Sequence, residues 1–279
     1  MLNVKNINLT PQELQLCIEF SRGSAPTQQS IEFGQHSTKA RSTSEVARDN
    51  LIGKIAEVAF SKMMKENYNI DVPLDFNYYP RGQWDNQDAV INGWRIDVKG
   101  TRKGGRWILI EWNKLNFRQR DNNLSHLYTM FSVSWNRQTD TPTGLVSYEG
   151  AVSLSKLRKN CPTTVELLKG TILPGTRTTL QADNYGIEFK NLYKHLNHLV
   201  KYITEQKPSQ ELTDNFKNPY TSETTIELLM KSGIHSNKLL YNAHAANDDN
   251  SKENEKKQNT SFFTSVVGWL KSHFGLSIF

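Results

Sequence analysis

The dipeptide Asn92-Gly93 separates two short segments that alternate in polarity, Asp88–Ile91 and Trp94–Lys99. Asn-Gly between such segments is the strongest short-range signal for a two-residue β-hairpin turn. A turn of this length also sets the strand register, because it places Ile91 opposite Trp94 and each earlier residue opposite a later one. The sequence therefore predicts a hairpin whose facing pairs can be counted outward from the turn.

Counting outward places Asp88 opposite Asp97, with Cβ atoms about 4.5–5.5 Å apart. Lys99 shares a face with Asp97, because side chains alternate along a strand. The opposite face carries only apolar residues, namely Ala89, Ile91, Trp94, Ile96 and Val98. One face of the hairpin is thus expected to build the core, while the other displays two carboxylates and an ammonium group.

Facing carboxylates destabilise a hairpin unless a positive charge neutralises them. Mg²⁺ does this well, since it is commonly held by one or two carboxylates together with water and substrate phosphate. An ordinary ion-pair cluster, in which Lys99 alone neutralises both acids, is the alternative. Glu57 favours the interpretation as a metal site over the ion-pair cluster, because it lies on a predicted helix beside the small residue Ala56. A small residue lets the helix approach the sheet and bring in a third acid.

The charge distribution indicates a polyanionic ligand. The net charge of the chain is +6, and residues 81–137 contain ten Lys or Arg against five Asp or Glu. Nucleic acid is the commonest partner of such a local positive field, and a solvated basic surface is the alternative. A glycine-rich loop is predicted after Lys99, without the glycine spacing of a Walker loop. The phosphate contacts expected there are Arg102, Lys103 and Arg106.

Helix and strand signals alternate along most of the chain. A capping box at Thr10–Glu13 predicts a helix from about Pro11 to Ser21, followed by a polar loop over residues 22–42 and a longer helix from about Ser44 to Asn67. The remaining predicted elements are strands at Trp107–Trp112, Leu127–Trp135 and Gly144–Ser153, and helices at Ser155–Lys159 and Leu192–Ile203. This order predicts an α/β (α+β) fold with a central mixed β-sheet flanked by helices.

Five regions are predicted along the chain. Residues 1–43 form the N-terminal helix and polar loop, and residues 44–207 the core. Residues 208–246 form a small helical region, in which only Lys238 is basic after Gly233, so a packing unit is favoured over a DNA-reading helix-turn-helix. Residues 247–260 are a charged, disordered linker. Residues 261–279 form an amphipathic helix that is expected to dock on the core or to bind a protein partner.

Composition restricts the cellular context. The two cysteines, Cys17 and Cys161, have no spacing partner, which argues against a disulfide framework and a cysteine zinc site. No apolar run approaches the roughly 20 residues needed to span a bilayer. We therefore expect a cytoplasmic protein without stable membrane insertion.

The acidic residues and the lysine resemble the motif of a known superfamily. Glu57 on a helix, Asp88 at a strand start and Asp97-Val98-Lys99 on the next strand look like the PD-(D/E)XK nucleases, over about residues 44–203. Gln87 stands where the proline of that motif would be, and Asp85 competes with Asp88 for the first acidic position. The resemblance implies a restriction-endonuclease-like core and Mg²⁺-dependent hydrolysis of DNA phosphodiester bonds, with Mn²⁺ able to substitute.

The resemblance also implies roles for single residues. Asp88, Asp97 and the Val98 carbonyl would ligate the metal, and Glu57 would bind a second ion or hold a metal-bound water. Lys99 would orient the attacking water or help to deprotonate it, and would offset charge on the phosphate. The implied protein is an endonuclease of restriction, phage defence or phage DNA processing, and cutting both strands of a duplex favours a homodimer. The alternatives are a structure-specific nuclease such as a Holliday junction resolvase, and a nucleic-acid-binding subunit of a larger assembly. RNA is also compatible with phosphate chemistry of this kind.

Several other residues carry weaker signals. Glu111 could extend the ligand set, although an exposed strand position is favoured. His195 and His198 could share a metal, but an ordinary polar helix face is favoured. Three aromatic residues could stack on bases, although packing beside the sheet is favoured: Tyr78, Tyr79 and Trp84.

Overall fold

The computed structural model of the protein describes residues 6–28, 42–79, 88–111, 125–158 and 162–209. Three predicted regions lie outside the described residues, namely nearly all of the small helical region, the linker and the C-terminal amphipathic helix. Most of the predicted polar loop and the residues Trp84, Asp85 and Gln87 also lie outside them.

The described chain has mixed helix and strand content, as predicted. Its elements are β1 (Asn6–Asn8), α1 (Pro11–Gln28), α2 (Thr43–Tyr68), β2 (Ala89–Ile91), β3 (Trp94–Arg102), β4 (Trp107–Glu111), β5 (Leu127–Asn136), β6 (Thr141–Ser153), α3 (Leu154–Arg158), β7 (Thr164–Leu167), β8 (Asn184–Glu188) and α4 (Leu196–Glu205). A 3-10 helix at Phe189–Asn191 precedes α4. Among the helices that the structure describes, none is both long and apolar enough to cross a bilayer.

The start of α1 follows its sequence signal, but its end does not. Thr10 and Glu13 form the predicted capping box, with each side chain accepting a hydrogen bond from the other residue's backbone N–H at 3.2 and 2.6 Å. The helix then continues to Gln28 instead of ending near Ser21. Ser21 and Ser24 donate their hydroxyls to carbonyls one turn back, and both side chains are buried. The first part of the predicted polar loop is therefore helix, because Ser24 and Ala25 are buried and Asn50 of α2 donates to Ser24 Oγ at 2.9 Å.

The strands form two sheets. The larger is a mixed five-stranded sheet in the order β1-β6-β5-β3-β2, in which only the β3–β5 pair is parallel. The second sheet is antiparallel and has the order β4-β8-β7. Three of these strands were not predicted, β1, β7 and β8, and none is longer than five residues. Pairing with longer neighbours determines them more than their own sequence does.

The helix α2 packs tightly against β3. A Cβ atom built at Gly100 would lie 2.6 Å from the carbonyl oxygen of Ile52 and 3.1 Å from Cβ of Ala56. The helix therefore approaches the strand as closely as the small residue Ala56 predicts, and Gly100 provides the matching space on the strand. This contact brings the middle of α2 next to the segment that follows Asp97 and Lys99.

We expect Gly100→Ala to lower the free energy of unfolding by about 1–3 kcal/mol, because the added methyl group meets a helix carbonyl that can move only with the helix. Gly53→Ala is the matched control, since it lies in α2 with nothing within 4 Å of an added Cβ. It should raise stability by about 0.5–1 kcal/mol through its helix propensity. Urea unfolding followed by circular dichroism checks both. Equal stability of Gly100→Ala and the wild type would contradict the close approach.

Candidate active site

The hairpin has the predicted turn and register. Asn92 and Gly93 have φ values of 48° and 84°, as a two-residue turn of this kind requires. The paired residues are Ile91 with Trp94, Val90 with Arg95, and Ala89 with Ile96. The five residues of the apolar face are all buried, at 6% exposure or less. Asp88 and Asp97 are the next residues outward from the last of these pairs.

Asp88 lies at an open edge of β3. Beyond Ile96, the described part of the chain pairs β3 on one side only, with β5. On the other side, Asp88 Oδ2 accepts a hydrogen bond from the N–H of Val98 at 2.6 Å. Because the N–H and C=O of a strand residue point to the same side, the Val98 carbonyl also faces this edge. The edge thus presents a carboxylate and a carbonyl oxygen together.

Asp97 and Lys99 form an ion pair beside this edge. Lys99 Nζ contacts Asp97 Oδ1, and both side chains are largely buried, at 24% and 18% exposure. This oxygen accepts no hydrogen bond of regular geometry from the described residues, but the ammonium group of Lys99 lies directly against it. The ion pair that was the alternative to a metal therefore exists at this site.

Glu57 is held by a lysine that sequence reasoning did not single out. Lys54 Nζ lies 2.5 Å from Glu57 Oε2 and donates to the carbonyl oxygen of Asp75 at 2.6 Å. Its ammonium group also lies 4.4 Å from the ring centre of Phe20 and 5.3 Å from that of Phe76. Lys54 is only 3% exposed and Glu57 15%. The spacing of three residues between them was the only sequence signal for this pair.

The acids share one electrostatic environment. Burial raises the pKa of the Asp88 carboxyl well above its usual value, and the nearby carboxylates of Asp97 and Glu57 raise it further. The Lys99 ammonium and the Val98 N–H act in the opposite direction. The structure therefore brings Asp88, Asp97 and Lys99 together and places Glu57 within electrostatic range of them. Ionisation of Asp88 is therefore disfavoured in this environment, and a cation bound beside it would relieve that penalty.

The donor set fits a hard divalent cation, although a complete ligand cage is not assembled. Within the described ranges, no group of three or more His, Cys, Asp or Glu side chains is placed to hold one ion. Glu57 is turned toward Lys54, which accounts for this. The fit rests on the Asp97 oxygen that accepts no regular hydrogen bond, the charge crowding at Asp88 and an all-oxygen donor set, which Mg²⁺ prefers.

The predicted phosphate contacts lie at and beyond the end of the same strand. The predicted loop after Lys99 is wrong in its first part, because β3 continues through Gly100 to Arg102 and pairs with β5 from Ile96 to its end. The strand reaches Arg102 because β5 extends alongside it. Lys103 and Arg106 are exposed beyond the strand end.

The residues with weaker functional signals make contacts within the fold. Glu111 pairs with Asn184 in the second sheet. The rings of His195 and His198 stack with centres 5.7 Å apart. Tyr79 donates its hydroxyl to Asp75, while Tyr78 is exposed and lies against Phe20.

Comparisons of the chain with protein-family models, with curated proteins and with solved structures found no match. The function proposed below therefore rests on the geometry of the hairpin edge alone.

Proposed function

We propose that the protein is a metal-dependent nuclease of the PD-(D/E)XK type, which hydrolyses DNA phosphodiester bonds at the open edge of β3. The observation that carries the proposal is the juxtaposition of Asp88, Asp97 and Lys99 at this edge, where the neighbouring carboxylates raise the pKa of Asp88. Two carboxylates and a lysine are an unfavourable combination for stability alone, since like charges face each other. They suit a site that binds a cation and a phosphate.

Each residue has a chemical task in this proposal. Asp88, Asp97 and the Val98 carbonyl would hold Mg²⁺ or Mn²⁺, with Glu57 as the third acid. The bound ion would supply charge stabilisation at the phosphate. Lys99 orients the attacking water and places a positive charge near the phosphate oxygens. Lys54 fixes the carboxylate of Glu57 from the side away from the solvent. The basic residues beyond Lys99 contact the flanking phosphates.

The purified full chain, incubated with plasmid, linear, single-stranded and branched DNA and with RNA, tests this function. We expect cleavage of DNA with Mg²⁺ or Mn²⁺ and none with EDTA. A strong preference for the branched substrate would identify a junction-resolving enzyme, and cleavage of RNA alone would change the substrate class. Binding without cleavage of any substrate would overturn the nuclease proposal in favour of a nucleic-acid-binding subunit.

A further inference from the structure

Two arginines from different elements meet at the far end of β3. Arg102 ends the strand, and Arg48 lies on α2 one turn before Ile52, the residue that contacts Gly100. Both donate from Nη2 to the carboxylate of Asp140, at 3.0 Å for Arg48 and 3.2 Å for Arg102. Asp140 belongs to the turn between β5 and β6, so three separate parts of the chain converge here.

Trp135 completes this group, which we call the Asp140 cluster: Arg48, Arg102, Trp135 and Asp140. Trp135 Nε1 donates to Asp140 Oδ1 at 2.9 Å, and the Arg102 guanidinium lies 3.9 Å from the centre of a Trp135 ring. Asp140 has a φ of 51°, in the left-handed region, which aspartate tolerates better than most residues. The hydrogen bonds to Asp140 thus fix the orientation of both guanidinium groups before any ligand binds.

The cluster remains open to solvent and positively charged. Arg48 and Asp140 are exposed and Arg102 is half-exposed. The exposed residues Lys103, Arg137 and Asp49 adjoin the cluster in sequence, which leaves the basic residues in excess. Glu45, one helical turn before Arg48, bonds to the helix cap Ser42. Exposed ion pairs contribute only about 0–1 kcal/mol to stability, so stability is a weak explanation for the arrangement. A guanidinium has five N–H donors, and Asp140 engages only Nη2 of each arginine in the bonds described above.

The cluster lies at the end of the strand that carries Lys99. Arg102 follows Lys99 by three residues, about 10 Å along β3, so the two side chains lie on opposite faces of the sheet. The open edge of β3 separates these two faces, and a polynucleotide that crosses the edge can contact both. An arginine stacked on tryptophan offers both phosphate donors and an aromatic surface.

We propose that the Asp140 cluster binds the polynucleotide backbone at a phosphate outside the one that lies at Asp88, Asp97 and Lys99. The inference rests on the proposed nuclease function and extends it from the site to the path of the substrate. Asp140 orients the two arginines, and the open edge of β3 connects them to the site.

Equilibrium binding of a fluorescently labelled DNA duplex, in EDTA and over a series of NaCl concentrations, tests this path without cleavage. The logarithm of the association constant falls as log[NaCl] rises. Arg48→Gln and Arg102→Gln should each reduce the magnitude of this negative slope by about one, and the double variant should reduce it by about two. Lys201→Gln on α4, where Lys201 is exposed, is the matched control and should keep the wild-type slope.

Charge-preserving variants separate binding from turn stability. Arg48→Lys and Arg102→Lys should show the wild-type salt dependence of binding. Thermal unfolding midpoints show whether any variant has lost its fold. Suppose that the wild type binds and cuts DNA. The inference is then overturned if the glutamine variants show the wild-type salt dependence, or if the lysine variants lose as much of it as the glutamine variants do. In either case the nuclease proposal stands. If the wild type neither binds nor cuts, both fall together.

Discussion

Replacing Asp97 or Lys99 by alanine is expected to lower the rate of Mg²⁺-dependent DNA cleavage by about 10³-fold or more, while DNA binding is retained. Asp97→Ala removes the buried oxygen that faces the proposed ion, and Lys99→Ala removes the charge that offsets the reacting phosphate. Single-turnover cleavage with excess enzyme measures the loss at the chemical step. A wild-type rate for either variant would remove that residue from the site.

A matched control exists at the end of α2. Lys65 and Asp71 form an ion pair of the same residue types at 2.8 Å, on the exposed surface. Lys65→Ala and Asp71→Ala should cleave at the wild-type rate, so a loss confined to Asp97 and Lys99 is not a general effect of removing an ion pair.

Stability provides a second check on the same variants. Asp97→Ala removes a like charge from beside Asp88, so we expect its unfolding midpoint to equal or exceed that of the wild type. A functional site commonly trades stability for activity in this way. A large drop in the midpoint of Asp97→Ala would instead favour a structural ion pair with Lys99.

The part of the site that could be predicted from sequence is the part that local chemistry determines. The turn at Asn92-Gly93 requires positive φ at both residues, and the register of β2 and β3 follows from it without long-range information. The capping boxes at Thr10 and Ser42 are equally local, and α2 begins within one residue of its predicted start. Asp88 and Asp97 could therefore be placed together.

The parts that escaped prediction depend on contacts between distant segments. A lysine on a helix is ordinarily solvent-exposed, and the burial of Lys54 depends on Phe20, Phe76 and the carbonyl of Asp75. The Asp140 cluster likewise joins a helix, a strand and a turn. The short strands β1, β7 and β8 also depend on their partners, because three to five residues carry too little periodicity to be recognised.

Lys54→Met is expected to lower the free energy of unfolding by about 3 kcal/mol. The substitution keeps an unbranched apolar chain in the space between Phe20 and Phe76, but it deprives Glu57 of its ammonium partner and the carbonyl of Asp75 of a donor. Removing one member of a buried ion pair leaves an uncompensated charge, which typically costs about 3–5 kcal/mol. Urea unfolding at constant pH measures the change.

Lys62→Met is the matched control on the same helix. Lys62 pairs with Glu13 at 2.8 Å, but its side chain is 16% exposed and that of Glu13 31%, against 3% and 15% for Lys54 and Glu57. Solvent screens this pair more, so we expect a loss of about 0–1 kcal/mol. The double variant Lys54→Met with Glu57→Gln should recover part of the stability lost in Lys54→Met, because the glutamine carries no charge to leave unpaired. If Lys54→Met lowers the free energy of unfolding no more than Lys62→Met does, burial of the Lys54 ammonium group does not determine the position of Glu57. The third acid would then have to be placed by other contacts.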